Sequence, residues 1–210
     1  MTGPENLNNA DDALIFIPRI EMSLDFANTL AYRGSTPSES LHNFDDLAKW
    51  CADGGVIPAG FASYLRAWSE RHPKRMVEIF ADAIILRELI YRIFHALGCG
   101  ATLEDADLER LNRRLQNMPP RTAIHRRHDR FGWEVEKVKP FAELILAPVL
   151  WSAGDLLVGP QLARLRECLN DKCLWLFLDD SKNGTRRWCS MQACGNRAKA
   201  HRHYLRHKAS

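Results

Sequence analysis

Two runs near the end of the chain, Cys168-Leu-Asn-Asp-Lys-Cys173 and Cys189-Ser-Met-Gln-Ala-Cys194, decide how the rest of the sequence is interpreted. Each run places four residues between two cysteines, and fifteen residues separate the runs. Two short cysteine pairs are typical of a tetrahedral zinc site, because each pair closes a tight turn that points both sulfurs inward. The sequence therefore predicts Zn²⁺ bound by Cys168, Cys173, Cys189 and Cys194.

Other uses of these cysteines stay open at this point. A disulfide, four unrelated thiols or an iron–sulfur cluster would use the same residue type. His201, His203 or His207 could replace one cysteine, although four cysteines already fill a tetrahedral shell. A full shell leaves no position for water, so we expect a structural zinc. The chain contains no GxGxxG, P-loop, GxSxG or HExxH motif, and we expect that it is not an enzyme.

The residues between and after the cysteine pairs predict the rest of a small module. Residues 174–178 and 185–188 flank a polar run that ends in Asn183-Gly184, which predicts a hairpin with that dipeptide in its turn. Residues 196–207 have helical spacing, with Ala198, His201 and Leu205 on the inner face. Hairpin, cysteine turns and helix together predict a treble-clef-like zinc finger whose helix begins at the metal.

The charge of this module is one-sided. The whole chain has a net charge of +3, yet after Asp180 there is no Asp or Glu, while eight Lys or Arg and three His follow. Such a surface fits a polyanion, and we predict DNA as the partner. A solvated helix face and an acidic protein partner are the alternatives. The predicted DNA-binding residues are Lys182, Arg186, Arg187, Arg197, Lys199, Arg202 and Arg206, of which Arg197 could instead be structural.

Two motifs resemble a known family. The run from Trp188 to Lys199 resembles the CGNR-type zinc finger, which is named for the four residues Cys194–Arg197. The upstream segment Leu24-Asp-Phe-Ala-Asn-Thr29 is similar to the opening motif of the ABATE domain, which commonly precedes that finger. The resemblance implies a bacterial stress-induced transcription regulator that binds DNA through its finger.

The fold class predicted for the whole chain is mainly α. Residues 1–158 are expected to form a helical ABATE-like domain with a small β-hairpin, and residues 159–210 the zinc finger. A helix from about Lys74 to Leu97 carries a broad apolar stripe at helical spacing, which is typical of a central core helix. The hairpin is predicted around His128-Asp-Arg130, where the spacing changes to alternation. Further helices are predicted at residues 24–30, after Asn43, at 59–70, from a capping box at Thr102–Asp105, and at 141–157 with a bend at Pro148.

Asp25 and Asn28 lie one helical turn apart and form the polar pair that stands out in the N-terminal domain. They could line a pocket for a small-molecule effector of unknown identity. Alternatively they are structural, with Asp25 accepting from backbone amides or pairing with Arg33, and Asn28 bonding a loop.

The location and assembly of the protein follow from simpler observations. The N-terminus has no basic and apolar signal region, and no run approaches eighteen apolar residues. We therefore expect a cytoplasmic protein without a membrane partner. A single finger makes few phosphate contacts, so we also expect a homodimer or an added partner for useful DNA affinity.

Overall fold

The computed structural model describes residues 14–17, 19–57, 59–127, 130–135, 141–200 and 208. The side chains of residues 14, 15, 59, 60, 127 and 141 are not described. The described part is mainly helical, as predicted. Its helices are α1 (Met22–Ala27), α2 (Phe44–Asp53), α3 (Ala59–Ser69), α4 (Pro73–Cys99), α5 (Asp105–Gln116) and α6 (Ala147–Val158). Its strands are β1 (Leu14–Phe16), β2 (Leu30–Ala31), β3 (Ser38–Glu39), β4 (Arg121–Arg127), β5 (Arg130–Val135), β6 (Leu165–Glu167) and β7 (Leu176–Leu178). Short 3-10 segments span Phe141–Leu146 and Pro160–Arg164, and a π-turn spans Met191–Gly195.

The long helix α4 is the centre of the fold, which confirms the prediction from its apolar stripe. It begins with Pro73, where a missing amide is tolerated, and ends at Gly100 with φ of 76°. Leu86, Ile90 and Phe94 are fully buried along it. Helices α1, α2 and α5 and strand β6 all pack against α4, so this one element contacts both the N-terminal helices and the start of the cysteine module.

A three-stranded antiparallel sheet lies beside the helices in the order β1-β5-β4. The predicted hairpin is confirmed as β4 and β5, and β1 pairs with the base of β5 from Leu14↔Val135 to Phe16↔Trp133. Phe16 packs edge-on against Trp151 of α6 at a centroid distance of 5.6 Å. This contact joins the base of the sheet to the helical core.

Several predicted helix ends change in the structure. Asn43 caps α2 as predicted, because its side chain accepts from the Asp46 amide at 2.9 Å. The capping box at Thr102–Asp105 is wrong, since the N-cap of α5 is Glu104 and it forms no side-chain cap bond. Pro148 lies in the first turn of α6 and not at a bend, which suits a residue that lacks an amide hydrogen. Helix α1 ends at Ala27, so that Leu30 lies in strand β2.

The first strands of the cysteine module share the core of the N-terminal domain. Strand β6 pairs antiparallel with β7, with Leu165 opposite Leu178 and Glu167 opposite Leu176. Leu165 and Leu176 are 3% and 1% exposed and belong to the main hydrophobic cluster. The β6–β7 hairpin is therefore packed as part of the larger domain, although it leads directly into the cysteines.

Candidate metal centre

Four cysteine sulfurs converge at one end of the β6–β7 hairpin. The ligand atoms of Cys168, Cys173, Cys189 and Cys194 all lie within 4.8 Å of one another. The Cys173 and Cys189 sulfurs are 3.7 Å apart, and the Cys189 and Cys194 sulfurs are 3.8 Å apart. Four sulfurs at about 2.3 Å from a tetrahedral zinc lie about 3.8 Å from each other, so the distances fit Zn²⁺. A disulfide, whose S–S bond is about 2.05 Å, does not fit.

Backbone hydrogen bonds shape each cysteine pair into a turn. In the first pair, the Cys173 amide donates to the Asn170 carbonyl at 2.7 Å, and the Cys168 amide donates to the Trp175 carbonyl at 2.9 Å. In the second pair, the Gly195 amide donates to the Ser190 carbonyl at 3.0 Å. The side-chain amide of Asn170 also donates to the Cys194 sulfur at 3.3 Å, and this bond joins the two turns.

The thiols of Cys168, Cys173 and Cys189 perturb one another's pKa values. Hydrogen bonds donated by the Cys173 and Cys189 thiols lower the pKa of Cys168 far below its usual value. The bond that Cys173 donates to Cys168 in turn raises the pKa of Cys173 to about 12. Zinc binding therefore displaces protons from thiols that would otherwise stay protonated at neutral pH.

The loop between the two cysteine pairs is organised by the buried side chain of Asp179. Its carboxylate accepts from the Ser181 amide and from the Arg186 amide, each at 2.9 Å. Hydrogen bonds from Ser181 lower the pKa of Asp179, so the group is a carboxylate at neutral pH. The hairpin predicted between residues 174–178 and 185–188 is therefore wrong: β7 pairs backward with β6, and Asp179 holds residues 181–186 as a loop. Gly184 does take the positive φ expected of a turn, at 63°.

Comparison with protein-family models gives two matches. Residues 21–160 match the ABATE family, described as "Putative stress-induced transcription regulator", and residues 164–207 match the CGNR zinc finger. The chain belongs to the ABATE family. No curated protein matches the chain. The zinc finger match and the converging sulfurs together establish the four-cysteine cluster as a zinc site.

The ABATE motif at Leu24–Thr29 connects the family's domain to its finger. The side-chain amide of Asn28 donates to the Leu176 carbonyl at 2.8 Å and its oxygen accepts from the Leu176 amide at 3.0 Å. Asn28 is 5% exposed and thus pairs with strand β7 as a neighbouring strand would. This outcome agrees with the structural interpretation of Asn28. The sequence around Asn28 does not identify this partner, because Leu176 lies 148 residues away.

Asp25 and Arg33 do not form the ion pair that the sequence suggested. Asp25 pairs with Arg19 at 2.6 Å, and burial raises the pKa of the Asp25 carboxyl above its ordinary value despite that arginine. Arg33 instead pairs with Glu88 of α4 at 2.7 Å, and its guanidinium lies 3.8 Å from the centroid of the Tyr91 ring. Both arginines therefore stabilise the ABATE domain.

A second set of contacts joins the ABATE domain to the first cysteine pair, and sequence reasoning missed all of it. The loop after β2 passes so close to this pair that a Cβ atom on Gly34 would overlap the carbonyl oxygen of Asp171. The Tyr91 hydroxyl donates to the Leu174 carbonyl at 3.3 Å. Tyr32 and Leu174 both have positive φ, at 55° and 54°, which costs about 1–3 kcal/mol per residue. The surrounding contacts hold both residues in this conformation.

The basic residues predicted to bind DNA divide into two groups. Arg186 donates to the carbonyls of Trp188 and Cys189 and lies 4.7 Å from the Phe177 ring centroid, so it is engaged inside the finger. Arg197 donates to the Tyr32 hydroxyl at 3.2 Å and lies against that ring. The second group consists of Lys182, Arg187 and Lys199, whose exposed side chains form no hydrogen bond within the described part of the chain; Arg197 is exposed as well. Arg202 and Arg206 lie outside the described residues, as do the three histidines of the tail.

A groove of about 1080 Å³ lies beside α4, between α5 and the 3-10 segment before α6. Ion pairs join its walls, including a bidentate pair of Arg114 with Asp82 at 2.6 and 2.7 Å. Asp25 and Asn28 are not among its lining residues, so the structure does not place them in an effector pocket there. Among the described residues, no helix is both long enough and apolar enough to cross a membrane.

Proposed function

We propose that this ABATE protein is a zinc-dependent transcription regulator whose finger contacts DNA, with the N-terminal domain as sensor or scaffold. The observation that carries the proposal is the exposed cationic surface of the finger. Lys182, Arg187 and Lys199 are exposed and form no ion pair with any carboxylate in the described part of the chain. Because no acidic residue follows Asp180, nothing in the tail neutralises these charges.

Arg186 and Arg197 are excluded from the proposed contact surface, because each already bonds other groups of the protein. Arg186 completes the hydrogen bonding of carbonyls beside the metal, and Arg197 joins the finger to Tyr32. Loss of Arg186 would remove bonds inside the finger and loss of Arg197 would remove its bond to Tyr32, so neither variant would report on a DNA contact alone. The proposed surface therefore consists of Lys182, Arg187 and Lys199, with Arg202 and Arg206 added from the sequence.

Phosphate contacts of this kind make binding strongly dependent on salt. Each phosphate neutralised on duplex DNA contributes about 0.9 to the slope of log K against log salt. The three described cations alone give a slope of about −2.7, and all five give about −4.5, which corresponds to modest affinity. We infer that a second finger, in a homodimer, or a second element of the same chain is needed for tight binding.

The test measures binding of the zinc-loaded full chain to a pool of random-sequence duplexes at several salt concentrations. A triple variant with Lys182→Ala, Arg187→Ala and Lys199→Ala should reduce the salt slope by about 2.7. A triple variant at Arg71, Lys74 and Arg113, which are exposed on the ABATE domain, removes the same charge and should leave the slope close to wild type. Equal slopes for the two variants, or no retention of DNA by the wild type, would contradict the proposal.

A second candidate function is an adaptor whose finger docks a protein. It is favoured by three large apolar side chains on the finger, since Leu169, Met191 and Trp175 are 57%, 53% and 36% exposed. The adaptor function predicts that Leu169→Ser with Met191→Ser abolishes the regulatory effect of the protein on transcription in cells, while its retention of DNA in vitro stays unchanged. The regulator function predicts that the cationic triple variant has the larger effect.

We also infer that the zinc is structural and that the chain is not an enzyme. Four cysteines fill the tetrahedral shell, so no position is open for a water or substrate ligand. A regulator of this kind would act in the bacterial cytoplasm, where the DNA is.

A further inference from the structure

The β4–β5 hairpin extends beyond the sheet that supports it. Strand β1 pairs with β5 only from Trp133 to Val135. Further along, β4 and β5 pair with each other from His125↔Gly132 to Arg127↔Arg130, and no third strand from the described residues joins this part of the ladder. The outer pairs therefore form a two-stranded arm, which we call the ribbon (residues 124–127 and 130–132).

The described side chains of the ribbon are cationic and apolar, and they are exposed. Ile124 is 60% exposed and Phe131 is 58% exposed. Arg126 and Arg130 are also exposed, and no carboxylate in the described part of the chain pairs with either. Arg126 opposes Phe131 in the ladder, and its guanidinium lies 5.5 Å from the Phe131 ring centroid. These four side chains add little to the packing of the domain.

At the base of the same hairpin, the charged side chains form ion pairs. Arg121 forms a bidentate ion pair with Asp155 of α6, at 2.8 and 2.9 Å, and its guanidinium lies 5.4 Å from the Trp133 ring centroid. His125, at the inner end of the ribbon, pairs with Glu134 of β5 at 2.5 Å. Among the described residues, the hairpin thus pairs its charges where it meets the helices, whereas Arg126 and Arg130 at its outer end have no carboxylate partner.

We propose that the ribbon is a second DNA-contacting element of this chain. The major groove, about 12 Å wide, admits a two-stranded β-ribbon, and arginines on such a ribbon reach phosphates and base edges. Exposed Phe and Ile side chains can contact thymine methyl groups or wedge between base steps. The proposal rests on the proposed function, in that ribbon and finger act on the same duplex. It supplies the added contacts that a single finger lacks.

An anionic lipid surface is the other macromolecule that arginines and exposed apolar residues could bind. The ribbon offers only two large apolar side chains among its described residues, and a guanidinium lies against one of them. Membrane-surface elements instead present a broad apolar face. DNA is therefore the partner that the ribbon fits better, and lipid becomes an outcome of the test.

The experiment compares three variants of the zinc-loaded full chain on one duplex pool and on vesicles of phosphatidylserine and phosphatidylcholine. Arg126→Ala with Arg130→Ala should weaken DNA binding about tenfold and reduce the salt slope by about 1.8. Phe131→Ser should weaken binding without changing the slope, since it removes no charge. Lys74→Ala with Arg113→Ala removes equal charge from α4 and α5 and should match wild type.

Comparison with the finger triple variant separates the two proposals. If ribbon and finger variants both weaken binding, both are supported. If only the finger variant does so, the ribbon proposal is overturned and the proposed function stands. If only the ribbon variant does so, the ribbon contact is supported and the finger assignment fails. Vesicle binding that is lost in the ribbon variant, without DNA binding, would overturn the ribbon proposal in favour of a lipid surface.

Discussion

The segment that carries Cys168 and Cys173 continues from a hairpin buried in the ABATE core, whereas the segment that carries Cys189 and Cys194 packs chiefly within the finger. Leu165 and Leu176 beside the first pair belong to the main hydrophobic cluster. Cys168, Cys173, Phe177 and Cys194 form a small separate cluster, and Cys189 packs against it. The two halves of one metal site thus depend on different forces: the fold positions the first pair, and the metal itself joins the second pair to it.

This difference shows how the finger of this chain depends on the ABATE domain. A free four-cysteine finger must take most of its folding free energy from zinc. Here half of the ligand set is already positioned by Asn28, by the loop at Gly34 and by Tyr91. A change in the packing of the ABATE domain would therefore reach two of the four zinc ligands, and through them the cationic surface of the finger.

The largest expected effect is that of losing zinc. We expect Cys189→Ser, Cys173→Ser or a chelator to remove hydrogen-exchange protection from the second segment, including the Gly195 amide, which bonds to Ser190. The Leu176 amide should stay protected, because it is bonded to Asn28 in the shared core. Structural zinc supplies about 10–16 kcal/mol of apparent binding free energy in isolated fingers, so the loss should be complete.

Metal content and exchange rates, measured on the same samples, check this expectation. Cys99→Ser is the matched control, because Cys99 is exposed and lies apart from the site. Equal loss of protection at Leu176 and Gly195 would contradict the unequal anchoring of the two pairs. Full zinc content in either site variant would remove that cysteine from the ligand set.

A smaller effect is expected from crowding the contact between the ABATE domain and the first pair. Gly34→Ala places a Cβ atom against the Asp171 carbonyl oxygen, and overpacking of this kind costs about 1–3 kcal/mol. Gly98→Ala in α4 is the control: its added Cβ meets nothing closer than 3.6 Å, and alanine favours a helix by up to about 1 kcal/mol.

Urea unfolding of the zinc-loaded variants gives the change in unfolding free energy for each substitution. Competition with a zinc chelator gives the zinc affinity of each variant. Gly34→Ala should lower zinc affinity as well as stability, whereas Gly98→Ala should lower neither. A Gly34→Ala variant with wild-type zinc affinity would mean that the first pair does not depend on this loop.

The sequence was most informative where structure is local. The apolar spacing of α4, the Asn43 cap and the alternation in β4 and β5 each depend on neighbouring residues, and the structure confirms all three. The cysteine spacing was equally sufficient, because two short turns define their own geometry. These features need no knowledge of the rest of the chain.

Features that depend on distant partners were not predictable. The sequence predicts an extended segment at 174–178, of which residues 176–178 form strand β7, but nothing local shows that this strand pairs with β6 and with Asn28 rather than with residues 185–188. Arg33 has Asp25 nearby in sequence, yet its partner is Glu88, 55 residues away. Likewise, charge counting treats Arg186 as surface, because a count does not show the carbonyls that it bonds.

The smallest expected effect is a loss of unfolding free energy at acidic pH, caused by protonation of Glu39. This residue supports the loop that contacts the first cysteine pair. Strands β2 and β3 frame the loop that carries Gly34, and Glu39 of β3 accepts two hydrogen bonds from Arg87 of α4, at 2.6 and 2.8 Å. Burial alone would raise the pKa of Glu39, but the bonds from Arg87 and from the Leu41 and Ser40 amides outweigh it and lower the pKa.

A lowered pKa fixes the direction of the pH dependence. Above the ordinary glutamate pKa of 4.5, the carboxylate is ionised in both states and its stabilisation is present in full. As the pH falls through the lower pKa of the folded state, Glu39 takes up a proton and that stabilisation is lost. Because Glu39 is partly solvated, we expect a loss of only about 1 kcal/mol between pH 5 and pH 3.

Glu39→Gln isolates this contribution, since glutamine keeps the shape of the side chain and does not titrate. The unfolding free energies of the two proteins, measured without metal so that acid release of zinc does not contribute, should converge as the pH falls. Curves that stay parallel would show that Glu39 gains nothing from Arg87 in the folded state. If the two curves converge, the β2–β3 hairpin and its loop at Gly34 remain folded without zinc. Only a folded hairpin places Glu39 beside Arg87, and so only a folded hairpin can lower the pKa of Glu39.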